Sequence, residues 1–391
     1  MREDTLTRKL LLLLALVLAL VATACTDGGG DQAGEEGGEP GLEATDGAAV
    51  QTEQTDGTGA DAGGTGESVL QDVQSRGTLR CGVNEEVPGF GFTTEEGEFE
   101  GFDIDFCRVV AAAVLGDSEA VEFVSLTAEQ RFTALQSGEI DVLIRNTTWT
   151  ASRDGGEEAD FTLPTFYDGQ AFMVKGDAGV GAIDDLDGSD VCTLSGTTTE
   201  LNLTTEAEAR GLDINAITFD DNDQLIQAFQ ADRCDAWTSD ASQLAGVRST
   251  WPDGEGGPEA LTILDEIISK EPLGPAVREG DADWFDAVNW AVIATIQAEE
   301  FEITQDNLEE MRQSDDPNIL RLLGEAASDE EPTLDPGLGL DTDFAVNVIE
   351  QVGNYGEIFE RNVGADSNLG LERGLNAQWT DGGLHYAPPY R

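Results

Sequence analysis

The sequence predicts an α/β protein made of two lobes that are built alike. Short β-branched and aliphatic runs alternate with amphipathic helical stretches, a pattern typical of sheets covered by helices. The stretch 131–146 aligns without a gap with the stretch 225–240, and both read as helix, turn and buried strand. With 391 residues, the chain is long enough to form two such lobes. Two matching lobes would enclose a cleft between them.

The similarity between the two stretches extends to individual residues. Three identities support the alignment, namely Ala134 with Ala228, Gln136 with Gln230 and Asp141 with Asp235. Each strand ends in a polar side chain, Asn146 in the first stretch and Asp240 in the second. Because ligands of open α/β sheets bind beyond the carboxyl ends of strands, we expect both side chains to face a shared cleft.

The first 25 residues read as an export signal and not as part of the fold. Basic residues precede the apolar run 10–21, which is short for a membrane span, and the small residues 22–24 lead directly to Cys25. Small residues before a cysteine are similar to the bacterial lipoprotein signal, in which the cysteine is lipid-modified and becomes the new amino terminus. Residues 1–25 are therefore expected to be a lipoprotein signal with lipidated Cys25. A plain secretory signal is the alternative.

Composition predicts the character of the next segment and excludes one class of partner. Residues 26–67 consist mostly of Gly, Glu, Asp, Thr and Ala, so they are expected to form a disordered acidic tether. The whole chain carries 79 acidic against 20 basic side chains, a formal charge of -59. Such a field repels phosphate backbones and excludes nucleic acid as a partner.

The cysteines beyond the lipidation signal favour disulfides, because an even number occurs in an exported chain. Spacing alone leaves three pairings open for Cys81, Cys107, Cys192 and Cys234. If each lobe is cross-linked separately, the pairs are Cys81 with Cys107 and Cys192 with Cys234. There is no C-x-x-C spacing, and the single histidine, His385, falls in an expected surface tail, so a metal site lacks support.

A polar loop follows the strand of the first stretch. The aliphatic run 140–144 suits a buried strand, and Arg145, Asn146, Thr148 and Arg153 come soon after it. A guanidinium with neighbouring hydroxyl donors matches a carboxylate, which makes this loop a candidate anion site. The alternative is an ordinary polar loop with a solvated arginine.

A second candidate anion site opens a helix in the other lobe. The predicted strand 190–194 leads into the turn 195–200, which carries Thr197 and Thr198. Backbone N-H groups at a helix start, reinforced by threonine hydroxyls, bind anions. The alternative is a simple helix-capping cluster.

Two residues of the first lobe have both a functional and a structural interpretation. Phe90 lies on a glycine-rich loop, where its ring either walls a pocket or fills the core. Asp103 forms a possible carboxylate pair with Asp105, but it also precedes the apolar stripe from Phe106 to Val114. We expect Asp103 to cap that helix.

The order of elements predicts the domain boundaries. Gln170–Lys175 and 263–269 read as strands that cross between the lobes. They divide the chain into a first part of lobe I at 68–174, lobe II at 175–268, and a return to lobe I with a carboxyl-terminal extension at 269–391.

Together, several motifs resemble the extracytoplasmic solute-binding proteins that supply polar amino acids to ABC importers, most closely their general L-amino-acid-binding branch. The motifs are GFDID at 101–105, FTALQSGEIDV at 132–142, RNTTWT at 145–150 with Arg153, YDGQ at 167–170, SGTT at 195–198, NYGEIF at 354–359, GLERGL at 370–375 and GGLHYAP at 382–388. The resemblance covers the chain from about residue 70 to the end.

The resemblance implies a type II periplasmic-binding-protein-like clamshell, in which two α/β lobes are joined by two crossing hinge strands. It also implies that the Arg153 guanidinium holds the α-carboxylate of an L-amino acid. Thr148, Thr197 and Thr198 would be further donors to that carboxylate.

The same resemblance assigns the other end of the ligand. Asp240, helped by Asn146, would receive the α-ammonium group. A zwitterion needs a guanidinium at one end and a carboxylate at the other, so this assignment agrees with the chemistry of the residues. Arg145 and Phe90 complete the expected ligand-binding set. Arg145 either tunes the pocket for the ligand side chain or braces the hinge.

The function implied is capture of several polar L-amino acids by closure of the clamshell and delivery to ABC permease subunits, without a cofactor. The protein is expected to be an exported monomer, held by its lipid at the outer face of the cytoplasmic membrane or in the periplasm. One alternative is an exported cyclohexadienyl or arogenate-dehydratase-like enzyme on the same fold, with Asp103, Glu85 or Glu86 as general acid. The other is a lipid-anchored amino-acid sensor.

Overall fold

The computed structural model describes residues 68–326 and 333–391. The expected signal segment, the lipidated Cys25 and the tether up to residue 67 lie outside the described residues. The strands are β1 (Leu79–Val83), β2 (Glu86–Val87), β3 (Gly91–Thr93), β4 (Phe99–Glu100), β5 (Val121–Ser125), β6 (Val142–Leu143), β7 (Ala159–Phe161), β8 (Phe166–Asp168), β9 (Gln170–Lys175), β10 (Asp190–Leu194), β11 (Asn215–Phe219), β12 (Ala236–Asp240), β13 (Leu261–Ile263), β14 (Glu271–Leu273) and β15 (Ala276–Arg278).

The helices are α1 (Val69–Arg76), α2 (Phe102–Leu115), α3 (Arg131–Ser137), α4 (Ala151–Gly156), α5 (Thr198–Arg210), α6 (Asn222–Gln230), α7 (Ala241–Ser249), α8 (Ala282–Glu300), α9 (Leu308–Met311), α10 (Pro317–Leu322), α11 (Phe344–Gln351) and α12 (Tyr355–Asn362).

Two five-stranded sheets share one strand order. The first sheet runs β5-β1-β6-β15-β7 and the second runs β11-β10-β12-β9-β13. In each sheet the first three strands are parallel, and the fourth strand is antiparallel to both of its neighbours. This matching order confirms the prediction of two α/β lobes built alike.

The strands β8 and β14 pair as a short antiparallel ribbon, and the chain passes through this ribbon between the two sheets. Strand β9 follows β8 directly and enters the second sheet, while β15 follows β14 and enters the first. Two crossing strands therefore exist as expected, but their position differs. Gln170–Lys175 is a strand inside the second sheet, because it pairs with β12 and β13 along its length.

The larger core lies in lobe I. Helix α2 is buried along nearly its whole length, and it packs with α8 and α11 around Phe102, Phe106, Trp284 and Phe344, all fully buried. Lobe II has two smaller clusters, one of which surrounds the buried Trp237. Burial of this much apolar surface is the main favourable term in folding, so lobe I is the stronger of the two scaffolds.

Each lobe carries one disulfide. Cys81 of β1 is bonded to Cys107 of α2, and Cys192 of β10 is bonded to Cys234 in the turn before β12. Their Cα atoms lie 6.1 and 5.7 Å apart, within the usual range for disulfides. Of the three pairings left open by spacing, the structure has the one that cross-links each lobe separately.

Two expectations about individual residues were wrong. Asp103 lies inside the first turn of α2, and Gly101, which has no side chain to cap with, occupies the N-cap position. Asp103 is buried, and its carboxylate accepts a hydrogen bond from Asn146 N at 2.6 Å, which offsets part of the cost of its burial. His385 is fully buried, packed on the ring of Tyr355 at 4.2 Å, because the carboxyl-terminal segment folds back onto lobe I.

Candidate ligand-binding site

A cleft lies at the carboxyl ends of the parallel strands of both sheets. Its lining residues come from both lobes and are mostly polar: Asn84, Arg131, Arg145, Asn146, Thr148, Arg153, Leu194, Thr197, Thr198, Thr199, Ser239, Asp240 and Gln243. This is the position at which open α/β sheets bind ligands.

The loop after β6 turns sharply into the cleft. Asn146 adopts a left-handed backbone conformation with φ of 28°, which asparagine tolerates better than most residues. The hydrogen bond from its backbone N to Asp103 fixes this turn. The neighbouring Arg145 is buried, and its Nε donates to the carbonyl of Leu126 at 2.7 Å. The turn therefore directs the side chains of Arg145 and Asn146 to the cleft.

The guanidinium of Arg153 is held from two sides. Thr150 caps α4 by accepting a hydrogen bond from Arg153 N at 3.3 Å, which starts the helix at this point. Arg153 Nη1 donates to the carbonyl of Thr148 at 2.8 Å, and the guanidinium carbon lies 5.5 Å from the centre of the Phe132 ring. Burial lowers the pKa of Arg153, so an anion in the cleft would be strongly attracted to it.

Threonine hydroxyls of lobe II line the same cleft as this guanidinium. Thr197 caps α5 by accepting a hydrogen bond from Glu200 N at 3.1 Å. Thr198 Oγ1 donates to Glu271 Oε2 at 2.9 Å and lies 3.3 Å from Thr148 Oγ1 of the other lobe. The turn therefore both caps α5 and lines the cleft.

Asp240 ends β12 and is buried in the cleft wall. Burial first, and then the nearby carboxylates of Asp168 and Glu271, raise its pKa well above the usual range. Its hydrogen bond from Asn146 Nδ2 is long, at 3.4 Å, and Nδ2 is also 3.3 Å from Gln243 Oε1. A cation placed here would relieve the cost of burying this carboxylate.

The two lobes touch around the cleft, so the structure is a closed form. Arg131 Nη2 of lobe I donates to the carbonyl of Gly196 in lobe II at 3.2 Å. The backbone N of Asn222 in lobe II donates to Glu86 Oε2 of lobe I at 2.9 Å. The α7 residue Gly246 approaches the carbonyl of Pro88 so closely that a Cβ atom would lie 2.4 Å from it.

Most of the residues expected from the sequence lie together in this cleft. They are Arg145, Asn146, Thr148, Arg153, Thr197, Thr198 and Asp240. Phe90 is not among the lining residues. It is 1% exposed and packs against Phe102 and Phe166 in the core of lobe I, where its ring replaces contact with solvent by contact with other aromatic rings.

Sequence reasoning missed several polar residues of the site. Arg131 and Gln243 line the cleft, and Glu271 of the hinge accepts hydrogen bonds from Thr198 and, at 2.9 Å, from Asn202. Arg131 carried a detectable signal, because it is a charged residue beside the apolar positions of a short helix. Glu271 carried none, since its role depends on where the hinge brings it.

Comparison with known proteins agrees with this geometry. Residues 79–307 match the family model of the bacterial extracellular solute-binding proteins, family 3. The chain belongs to this family. In Rhizobium johnstonii, the general L-amino acid-binding periplasmic protein AapJ is 48% identical over 90% of this chain and 98% of its own length.

Two further relatives are similarly close. The glutamate/glutamine/aspartate/asparagine-binding protein BztA of Rhodobacter capsulatus is 49% identical over 84% of this chain and 95% of its own length. A solved structure of an ABC transporter periplasmic binding protein from Brucella ovis, with glutathione bound, superposes with a TM-score of 0.79. It is 48% identical and covers 83% of this chain and 99% of that one.

Membership in the family confirms the resemblance found in the motifs. The protein is a two-lobed extracytoplasmic solute-binding component of an ABC transporter, and the family and its close relatives are binding proteins, not enzymes. The dehydratase-like alternative is therefore not supported. Within residues 68–326 and 333–391, no helix combines the length and apolar character needed to cross a membrane.

Proposed function

We propose that this protein captures several L-amino acids in the closed cleft and presents them to the permease subunits of an ABC importer. The observation that carries this proposal is that Arg153 of lobe I and Asp240 of lobe II are both buried and line one cleft. The α-carboxylate would bind Arg153 and the threonine hydroxyls, and the α-ammonium would bind Asp240. AapJ and BztA, which are named for amino-acid binding, support the choice of ligand class.

Each lobe would then hold one end of the ligand. Lobe I contributes the guanidinium of Arg153, and lobe II contributes the carboxylate of Asp240. A ligand that binds both groups favours the closed form over an open one, because only the closed form brings them together. The closed form is the one that we propose the permease recognises.

The protein would be anchored to the membrane through its amino-terminal segment. Cys25 would carry a lipid that holds the protein at the outer face of the cytoplasmic membrane, and residues 26–67 would connect it to the folded part. The protein would act as a monomer.

A thermal-shift panel of glycine and the nineteen chiral L-amino acids tests the ligand class, with the D-enantiomers of the chiral ones as matched controls. A ligand with micromolar affinity, added at 1 mM, should stabilise the protein by about 4 kcal/mol. The ligands that stabilise should also reduce the radius of gyration in small-angle scattering. If no L-amino acid raises the melting temperature above its D-enantiomer, the proposed function is wrong.

A further inference from the structure

The cleft holds more positive charge than a neutral amino acid needs. Three guanidiniums line it, those of Arg131, Arg145 and Arg153, and all three come from lobe I. Asp240 is the one carboxylate among the lining residues. A zwitterion with a neutral side chain would use one guanidinium, Arg153, and one carboxylate, Asp240. Two guanidiniums are left over.

The described part of the protein satisfies these two guanidiniums only in part. Arg145 is 5% exposed, and Leu126 O is its one hydrogen-bond acceptor among the residues described, so both of its Nη groups are unused. Arg131 is 2% exposed; its Nη2 donates to Gly196 O at 3.2 Å and its Nη1 to Thr147 Oγ1 at 3.5 Å, but its Nε is buried without a partner in the described chain. A buried donor without an acceptor, such as Arg131 Nε, is costly, and the Nη groups of Arg145 have no acceptor among the described residues, so both side chains can bind an acceptor from outside.

The electrostatics of the cleft agree with these unfilled donors. Burial lowers the pKa of Arg145 to about 10, and burial, with additional repulsion from Arg153 and Arg145, holds the pKa of Arg131 well below its usual range. Asp103 is the strongest compensating charge near Arg145, but its carboxylate already accepts the hydrogen bond from Asn146 N. Burial also raises the pKa of Asp103 to about 7. The excess positive charge is therefore only partly compensated by the protein.

We infer that Arg145 and Arg131 form a second anion subsite, which selects L-amino acids whose side chain ends in a carboxylate. This inference rests on the proposed function, because it assumes that Arg153 holds the α-carboxylate. A side-chain carboxylate would accept hydrogen bonds from Arg145 Nη and Arg131 Nε, and so remove the unused donors. An amide offers one carbonyl oxygen and no charge, so amide ligands bind the same subsite more weakly.

The cavity on the far side of Arg145 limits the reach of such a ligand. It has about 500 Å³ of empty space and shares Arg145 with the cleft, but its other lining residues include Glu85, Glu86, Asp220 and Asp221. These carboxylates would repel an anion that extended past Arg145. The preferred ligands are therefore short, with glutamate and aspartate ahead of any longer acidic side chain.

The test is isothermal titration calorimetry of the full-length protein with L-glutamate and L-glutamine, which have nearly the same shape. The wild-type protein should bind glutamate at least tenfold more tightly. Arg145→Gln should weaken glutamate binding about 100-fold and glutamine binding less than fivefold, because only the charged side chain loses its partner. Arg145→Lys should recover part of the preference. Arg233→Gln, an exposed residue of lobe II, is the matched control and should change neither affinity.

The possible outcomes separate the subsite from the proposed function. If glutamine binds as tightly as glutamate to the wild-type protein, the subsite is wrong while amino-acid binding stands. If Arg145→Gln weakens both ligands equally, Arg145 supports the loop and does not select the side chain. If no amino acid binds at all, the proposed function fails, and this inference fails with it. Should Arg145→Gln not fold, the wild-type ratio of the two affinities decides alone.

Discussion

The two lobes have the same strand order but place opposite charges at the cleft. Asn146, which follows β6 in lobe I, aligns with Asp240 at the end of β12 in lobe II, and both side chains line the site. At the start of the same stretch, Arg131 of lobe I lines the cleft, whereas the aligned Leu225 of lobe II is fully buried in the core. The shared fold therefore fixes where side chains project, and single substitutions decide what they bind.

A second pair of aligned residues has kept the same structural role in both lobes. Asp141 N donates to Arg80 O at 2.9 Å, and Asp141 Oδ2 accepts from Arg80 N at 2.8 Å. Asp235 makes the same two bonds with the backbone of Asp190, at 2.7 and 2.9 Å. Each aspartate thus ties its turn to the neighbouring parallel strand. The identity of Asp141 with Asp235, one of the three that support the alignment, therefore has a physical cause.

The largest expected effect is the loss of the lobe I charge that holds the α-carboxylate. Arg153→Ala should weaken binding of the best L-amino acid by about 4 kcal/mol, roughly 1000-fold, because it removes a buried charge-assisted pair. Titration calorimetry measures the loss directly. Small-angle scattering with about 0.1 mM ligand should show that the wild-type protein closes and this variant does not, because a 1000-fold loss from micromolar affinity leaves only about a tenth of the variant bound.

Arg233→Ala provides the control for the Arg153 variant, since Arg233 is an exposed arginine of lobe II. Its ligand affinity should equal that of the wild-type protein. Retention of full affinity by Arg153→Ala would show that another guanidinium of lobe I holds the α-carboxylate. The division of charge between the lobes would remain in that case, but its assignment to Arg153 would be wrong.

The aligned aspartates should differ in how much they stabilise their lobes. The carboxylate of Asp141 is buried and forms ion pairs with Arg76 and, at 2.6 Å, with Arg80, whereas Asp235 is exposed and its carboxylate accepts one hydrogen bond, from the Asp190 backbone N-H. Asp141→Ala should therefore lower the free energy of unfolding by about 2 to 3 kcal/mol, and Asp235→Ala by about 1 kcal/mol. The figure for Asp141 allows for the partial exposure of both arginines.

Urea denaturation followed by tryptophan fluorescence measures both losses. Asp177→Ala, at an exposed aspartate of lobe II, serves as the control and should change the free energy of unfolding by less than 0.5 kcal/mol. Equal losses at Asp141 and Asp235 would mean that the ion pairs of lobe I add nothing to the shared backbone bonds.

The sequence predicted the parts of the site that depend on local order and missed those that depend on folding over long distances. Asn146 and Asp240 were predictable because each follows a recognisable strand. Phe90 was not, since a ring on a glycine-rich loop has no periodic pattern that tells core from pocket. His385 was expected at the surface, because nothing local shows that the carboxyl-terminal segment returns to cover Tyr355 of lobe I.

The smallest expected effect is a pH dependence that comes from the titration of Asp240 in lobe II. In the structure the pKa of Asp240 is raised, by burial first and then by Asp168 and Glu271, while Asn146 and Arg153 act in the opposite direction. An ammonium group beside Asp240 would lower this pKa, so the complex holds fewer protons than the free protein. Binding should therefore release protons, and affinity should fall as the pH drops below the raised pKa of the free protein.

Titration with L-glutamine between pH 8 and pH 5 tests this effect, because the ligand side chain does not titrate in that range. Affinity should fall about tenfold, and the heat of binding should change with the ionisation enthalpy of the buffer. Asp168→Asn removes the neighbouring carboxylate, so the fall should move to lower pH. An affinity that stays constant or rises toward pH 5 would contradict Asp240 as the ammonium acceptor, and the negative charge of lobe II would then need another purpose, such as balancing the buried arginines of lobe I.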